Sequence, residues 1–291
     1  MAGPDLFVPF ALGRYTVVNR IRYGGMGEVL LGRRMDEHGE MSSFAIKRPL
    51  PTVMEDPELL SLFWKETELA QKMQAPAFPK IEEVGVSQGI PFMVMELVVG
   101  ASVQEVLAQA AGAQLRPECW VLLASDLAAA VGELHKFRRG AKSLVHGDIR
   151  SPNVMVDVDG VVRLLDMGLA VASEGLWRRV LRSRGTEIPQ FLRDGDKGPE
   201  FDVWSIARLL VECLGGPSIL EGRSRLPGGL VDMLGRCLDS SGLHALRTAR
   251  TLRWELKAYL AQSKVELMRQ ELAQAARAAY GSSSRSASGP G

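Results

Sequence analysis

Cysteine is scarce in this chain of 291 residues: only Cys119, Cys213 and Cys237 occur, far apart, and none forms a CxxC pair. That argues against a disulfide framework or a cysteine-built zinc site and fits free thiols in a reducing compartment. Long apolar runs are lacking too. No stretch approaches the roughly 18 uninterrupted apolar residues of a membrane helix, and PFMVMELVVG (91–100) is interrupted by Glu96. The opening MAGPDLFVPF has no basic segment followed by an apolar one, so no secretory signal is expected. The formal net charge is only +1, which gives no reason to expect a nucleic-acid or membrane partner. No internal repeat is apparent. A soluble, cytoplasmic protein is the expectation.

What is present is ordinary globular material, 46% hydrophobic and 24% charged, and long enough for two lobes. RYTVVNRI (14–21), a glycine cluster YGGMG (23–27) and EVLLGRR (28–34) read as strand, turn and strand. SSFAIKR (42–48), KIEEVGV (80–86) and IPFMVMELV (90–98) read as further strands. Between them, ELLSLFWKETELAQKM (58–73) carries Leu59, Leu60, Phe63 and Leu69 at near-helical spacing. Beyond residue 98 the pattern is mostly helical, with Pro117 placed for a first helical turn. The expected fold is α+β: a lead (1–12), a small β-rich lobe with one main helix (13–98), a larger helical lobe (99–262), a helical extension (263–280) and a disordered tail (281–291).

Within the second lobe, HGDIRSPNVMVDVDGVVRLLDMG (146–168) sets Asp148, Asn153 and Asp166 around two short apolar runs. Polar groups beside strands cost free energy unless something binds them, so the spacing hints at a ligand or a metal. Asp and Asn are also common turn residues, and the segment alone does not decide. Other elements add to it in a fixed order. Gly24, Gly25 and Gly27 between two strands let backbone amides approach phosphates. Lys47 ends the next strand, and Glu66 follows 19 residues later in a helix.

This order, YGGMGEV, FAIK, KETELA, HGDIRSPN, LLDMGLA, RGT and DVWS, resembles a protein kinase from about Gly13 to about Leu260. The glycine loop is similar to that of bacterial Ser/Thr kinases. The resemblance implies a bilobal fold and transfer of the γ-phosphoryl group of Mg²⁺·ATP to a protein substrate. It implies that Asp148 receives or orients the acceptor hydroxyl proton, that Asn153 and Asp166 hold Mg²⁺, and that Arg150 meets the γ-phosphate. Lys47 would contact the α and β phosphates, held by Glu66. Adenine would lie among Ile21, Val29, Ala45 and Met155, along the Glu96–Val98 backbone, with Met95 gating the pocket behind.

The chain departs from the family pattern in four places, and one is the start of the glycine loop, where Arg22 stands at the usual first glycine. Gly147 replaces the Arg that ordinarily reads a phosphorylated activation segment. An Ala-Pro-Glu motif is missing, with Leu192-Arg193 where Pro-Glu is expected and Ala245 where its arginine partner would align. Met167 replaces a Phe and should still pack. WRRVLRSRG (177–185) reads as a solvated basic loop, or, more sharply, as a lure for an acidic or phosphorylated substrate. Ser173, Ser183 and Thr186 are candidate phosphosites. His146 reads as a packing residue. The segment KVELMRQELAQAARAAY (264–280) packs on the large lobe, continues the last helix, or docks a regulatory partner.

Two rival readings share these residues. HGD with Asn at +5 is also similar to aminoglycoside and choline kinases, which act on small molecules. A kinase-like scaffold that binds ATP without transfer is the other. RGT favours Ser/Thr over Tyr, whereas Arg150, two residues after Asp148, is commoner in tyrosine kinases. With Gly147 there is no guanidinium to receive a phosphate. Activity should therefore survive phosphatase treatment, and its loss on dephosphorylation would refute this.

Overall fold

The structure, a computed structural model, describes residues 6–109, 115–186, 189–190, 197–221, 226–239 and 246–287. The chain divides into two compact units, one of Met1–Gln74 and Phe78–Val98, the other of Ala75–Ala77 and Val99–Gly291.

In the first unit, β-branched and apolar residues form an antiparallel sheet of β1 (Phe10–Leu12), β2 (Tyr15–Gly24), β3 (Gly27–Met35), β4 (Met41–Pro49), β5 (Ile81–Ser87) and β6 (Ile90–Glu96). Their order is β1-β2-β3-β4-β6-β5. Alternation along the strands sends Leu12, Tyr15, Val17, Leu30, Ile46, Phe92 and Val94 into one core. A short α1 (Pro51–Met54) leads to α2 (Pro57–Lys72). Helix α2 begins at Asp56, whose side chain accepts from the Glu58 and Leu59 amides at 2.9 and 3.2 Å, with Pro57 in the first turn. It buries Leu62, Phe63, Glu66, Thr67, Leu69 and Ala70 at helical spacing. Phe10–Leu12, placed by the sequence in an N-terminal lead, is an edge strand of the sheet.

The second unit is built on α4 (Pro117–Leu134), buried along most of its length and preceded by β7 (Gly100–Ser102) and α3 (Val103–Ala108). A two-strand ribbon, β8 (Arg138–Arg139) with β9 (Lys142–Ser143), follows α4. Strands β10 (Val154–Asp157) and β11 (Val162–Leu164) form a hairpin that extends β7. Then come α5 (Glu174–Ser183), α6 (Pro199–Cys213), a 3₁₀ turn (Pro217–Glu221), α7 (Gly228–Leu238), α8 (Ala249–Tyr259) and α9 (Val265–Ala287). Helices α6, α8 and α9 all pack on α4.

Two expectations are corrected here. The basic stretch read as a solvated loop is mostly helix α5, with Leu176, Trp177 and Leu181 buried. The tail read as disordered from residue 281 continues α9 to Ala287. Helix α9 is separate from α8 and lays Met268, Leu272, Ala273, Ala275, Ala276 and Ala279 against its own unit. Arg269 ties it to the Gly160 carbonyl at 3.2 Å and to Asp126 at 3.1 Å. Leu192, Arg193 and Ala245, the positions of the missing Ala-Pro-Glu pairing, lie outside the described residues.

The β10–β11 turn shows how tightly α9 is seated. Gly160 has φ +80°, and a Cβ there would stand 2.2 Å from the Arg269 carbonyl oxygen. Gly160→Ala is thus expected to destabilise the protein by about 2 kcal/mol or more, measured by urea denaturation. An unchanged midpoint would show that α9 is not docked on this turn.

Candidate active site

The glycine stretch closes the β2–β3 hairpin, where Gly24 pairs with Gly27 around Gly25 and Met26. A Cβ on Gly27 would lie 2.6 Å from the Arg48 carbonyl oxygen, so only glycine lets β4 come this close. The next residue, Glu28, is buried and bridges Arg20 of β2 at 2.7 Å and Arg48 of β4 at 2.7 Å. This clasp joins three strands at the root of the glycine turn.

Strand pairing sets Lys47 opposite Val29 and Ala45 opposite Met95. Helix α2 turns Glu66 inward, where a lone carboxylate would be costly. Lys47 Nζ meets it, 2.5 Å from Oε1. Ile21 is half exposed on β2. The Glu96 amide donates to the Lys80 carbonyl at 2.8 Å, while its carboxylate accepts from the Lys80 amide at 3.1 Å. Val98 is the last residue of this unit.

In the second unit, Asp202 of α6 is fully buried and holds the loop before β10. It accepts from the His146 amide at 2.8 Å, the Gly147 amide at 2.9 Å and His135 Nε2 at 2.8 Å. Burial pushes its carboxyl up, but these donors, His135 foremost, outweigh burial and hold it below the usual carboxylate range. Burial drives His146 the other way, keeping the imidazole neutral against the pull of Asp202, Asp148 and Asp166. Its Nδ1 accepts from the Asp148 amide at 3.3 Å, consistent with the packing role read from the sequence.

Asp148 is itself buried and heavily bonded. Its Oδ1 accepts from Arg150 Nε at 2.9 Å and Arg184 Nη1 at 2.6 Å, and its Oδ2 from Asn153 Nδ2 at 2.7 Å. Val154 pairs with Leu164, and the Leu165 amide donates to the Asn153 carbonyl at 2.9 Å. The hairpin therefore returns the chain beside Asn153, one residue before Asp166. Asp166 has φ +66°, and its Oδ1 accepts from the Gly168 amide at 3.3 Å. Met155 sits mid-strand opposite Ser102, and Met167 is buried as expected. The structure thus groups Lys47 with Glu66 in one unit, and Asp148, Arg150, Asn153 and Asp166 in the other.

Sequence reasoning missed Trp177, Lys197 and the contact made by Arg184. Trp177 is fully buried, edge-on to Phe201 with centroids 4.9 Å apart, and its Nε1 donates to the Gly147 carbonyl at 3.1 Å. The signal was available: Trp177 and Leu181 are four apart, with Leu176 and Val180 beside them, which is helical periodicity inside a run of arginines. Ser173, read as a phosphosite, caps α5 through the Leu176 amide at 3.3 Å.

Solved structures share this fold. The structure titled PpkA-294 apo form superposes with a TM-score of 0.68 at 18% identity, covering 87% of this chain and 99% of that one. The kinase domain of Mycobacterium tuberculosis PknI gives 0.66 at 22% identity, covering 87% and 99%. The sequence matches the protein kinase domain family over residues 15–258, and the chain belongs to that family. Among curated relatives, tyrosine-protein kinase MasK of Myxococcus xanthus is 30% identical over 56% of this chain and 26% of its own length. Serine/threonine-protein kinase PknL of Mycobacterium tuberculosis is 28% identical over 73% of this chain and 52% of its own. Serine/threonine-protein kinase PrkC of Bacillus subtilis is 26% identical over 73% and 32%. The chain spans about a quarter to a half of the length of these relatives.

Lys197 lies over the Trp177 ring and donates to the Leu169 carbonyl at 2.5 Å. Burial pushes its ammonium down to about 8, from an ordinary 10.5. Between those values the unfolded chain keeps a proton that the folded chain has released, so stability rises with pH across that window. Relative to Lys197→Met, the wild type should gain in melting temperature from about pH 8 to 10.5 and run parallel below pH 8. Parallel curves throughout would show that Lys197 ionises normally.

Proposed function

We propose that this chain is an ATP-dependent Ser/Thr protein kinase. The observation that carries the reading is that each buried polar group of the two clusters is held by another residue of the same cluster: Lys47 by Glu66 at 2.5 Å, and Asp148 by Asn153 at 2.7 Å. Phosphoryl transfer asks mainly for such positioning and for neutralisation of charge. Asp166 and Asn153 supply carboxylate and amide oxygens, hard donors suited to Mg²⁺, which takes few protein ligands and completes its shell with phosphate and water oxygens. Bound there, Mg²⁺ would neutralise charge on the phosphates.

The chain's own groups do the rest. Amides around Gly24, Gly25 and Gly27 cover the phosphates, and the Glu28 clasp keeps that turn in place. Lys47 contacts the α and β phosphates, and Arg150 the γ-phosphate. Ile21, Val29, Ala45 and Met155 contact adenine along the Glu96–Val98 backbone, with Met95 as gate. The acceptor oxygen bonds to the γ-phosphorus as the bond to the β–γ bridging oxygen breaks. ADP departs with that oxygen, and the hydroxyl proton passes to Asp148.

Serine or threonine as acceptor is supported by PknL and PrkC and by the RGT sequence (184–186). Among the described residues no helix is long and apolar enough to cross a membrane, and a cytoplasmic location is part of this reading. A regulatory partner of α9 would meet its exposed Val265, Leu267 and Tyr280, since the opposite face is taken.

The test is transfer of labelled γ-phosphate from Mg·ATP to protein. Asp148→Asn should lower the rate at least roughly 100-fold while nucleotide binding persists, and Lys47→Met should weaken nucleotide binding as well. Equal transfer by Asp148→Asn would overturn the assignment. Label appearing on tyrosine would move the chain to the MasK side, and Mg-dependent ATP binding without any transfer would make it a scaffold.

A further inference from the structure

Helix α5 is joined to the catalytic loop by an indole rather than by a charge. Gly147 has φ +75°, and a Cβ there would stand 2.8 Å from Trp177 Nε1 and 3.4 Å from Lys197 Cδ. The Trp177 ring therefore fills the space that a larger residue at position 147 would need. This seat delivers Arg184, just past the end of α5, onto Asp148.

The Arg184 contact falls on the atom that the chemistry needs. A general base must lie within hydrogen-bond reach of the hydroxyl it serves. Asp148 Oδ2 is engaged by Asn153, and Oδ1 by both Arg150 and Arg184. Arg150 and Asn153 belong to the same loop as Asp148, two and five residues along the chain, whereas Arg184 comes from outside it; the two arginine side chains are equally accessible, at 35% and 33%. Arg184 is thus the donor that can leave.

The surroundings are cationic. Arg179 and Arg182 lie on the exposed side of α5 and form no ion pair among the described residues. Arg208 rests on the Trp204 ring, 5.3 Å from its centroid. With Asp148, Arg150, Thr186 and Trp204 it lines a cavity of about 140 Å³. Besides Asp148, the one acid on that wall among the described residues is Glu212, which accepts from Ser151 Oγ at 2.8 Å.

We propose that Arg184 is a specificity-determining gate that selects acidic protein segments as substrates. A carboxylate beside the acceptor serine draws Arg184 off Asp148 and is held by Arg184 and Arg208, while the place vacated on Oδ1, still held by Arg150, takes the acceptor hydroxyl. An acidic substrate exchanges one charge-assisted bond for another. A neutral substrate breaks the Arg184–Asp148 pair with no replacement, a difference of roughly 10- to 100-fold in kcat/KM. The inference rests on the phosphotransfer reading and names its substrate class.

The experiment compares three peptides of equal length in which a serine is flanked by Glu, Ala or Lys. The wild type should favour the Glu peptide over the Ala peptide by roughly 10- to 100-fold in kcat/KM. Arg184→Ala and Arg184→Gln should raise kcat/KM on the Ala peptide and shrink the preference, and Arg208→Ala should raise KM for the Glu peptide. A nucleotide-induced rise in melting temperature confirms that each variant is folded. Equal use of the Lys and Glu peptides by the wild type overturns the inference, as does a folded Arg184 variant that is slower on every peptide. Autophosphorylation without a preference for the Glu peptide overturns it while leaving phosphotransfer standing. ATP binding with no transfer to any peptide or to the chain itself overturns both.

Discussion

The carboxylate of Asp202, wholly removed from water, is where the large unit fastens its chemistry. A bare charge at that depth would be strongly destabilising. Two backbone amides and an imidazole satisfy it, and the two amides belong to His146 and Gly147. Satisfying the buried charge and fixing the loop are one physical event. Asp148 is the next residue in the chain, so the loop's conformation, and with it the direction of that carboxylate, follows from the requirement that Asp202 not stand alone. Breaking one partner of such a buried set typically costs about 3–5 kcal/mol, enough to hold a loop that has no strand or helix of its own.

The same logic recurs in the small unit. Glu66 faces inward on α2 and Glu28 faces inward on β3, and each is answered by a basic side chain from a neighbouring strand. Apolar packing supplies the bulk of the fold. These few buried ionic contacts then set the register of the parts that must be placed to within a fraction of an ångström: the strand lysine, the glycine turn and the catalytic loop. In all three places the charge is paired within its own unit.

The activation segment follows a different rule. Where the family places an arginine that answers a phosphate, this chain has Gly147 and seats the Trp177 indole against it. An indole needs one acceptor for its N–H and apolar surroundings for its ring, and the Gly147 carbonyl and Phe201 supply both. The anchor therefore needs no modification to form. It also explains the short path from α5 to Asp148, since Leu181 and Trp177, four residues apart, face the same interior and leave Arg179 and Arg182 toward solvent.

Most of the architecture was legible without coordinates because it rests on local pattern. Alternating β-branched residues, the helical spacing around Phe63 and Leu69, and Pro117 at a helix start are properties of neighbouring residues, and the strands and helices lie where those patterns place them. The order of the glycine loop, Lys47, Glu66, Asp148, Asn153 and Asp166 also stands in the chain itself, and the structure adds that Lys47 meets Glu66 and that Asp148 meets Asn153. What the sequence by itself could not determine were contacts between residues distant in the chain whose chemistry is permissive. A run of arginines is compatible with a solvated loop until a buried tryptophan 30 residues from its acceptor pulls the segment into a helix. A helix rich in alanine is compatible with a free extension until the Gly160 turn and Asp126 hold Arg269. Tertiary structure decided these two because burial and ion pairing depend on which surfaces meet, and that is not a local property of the chain.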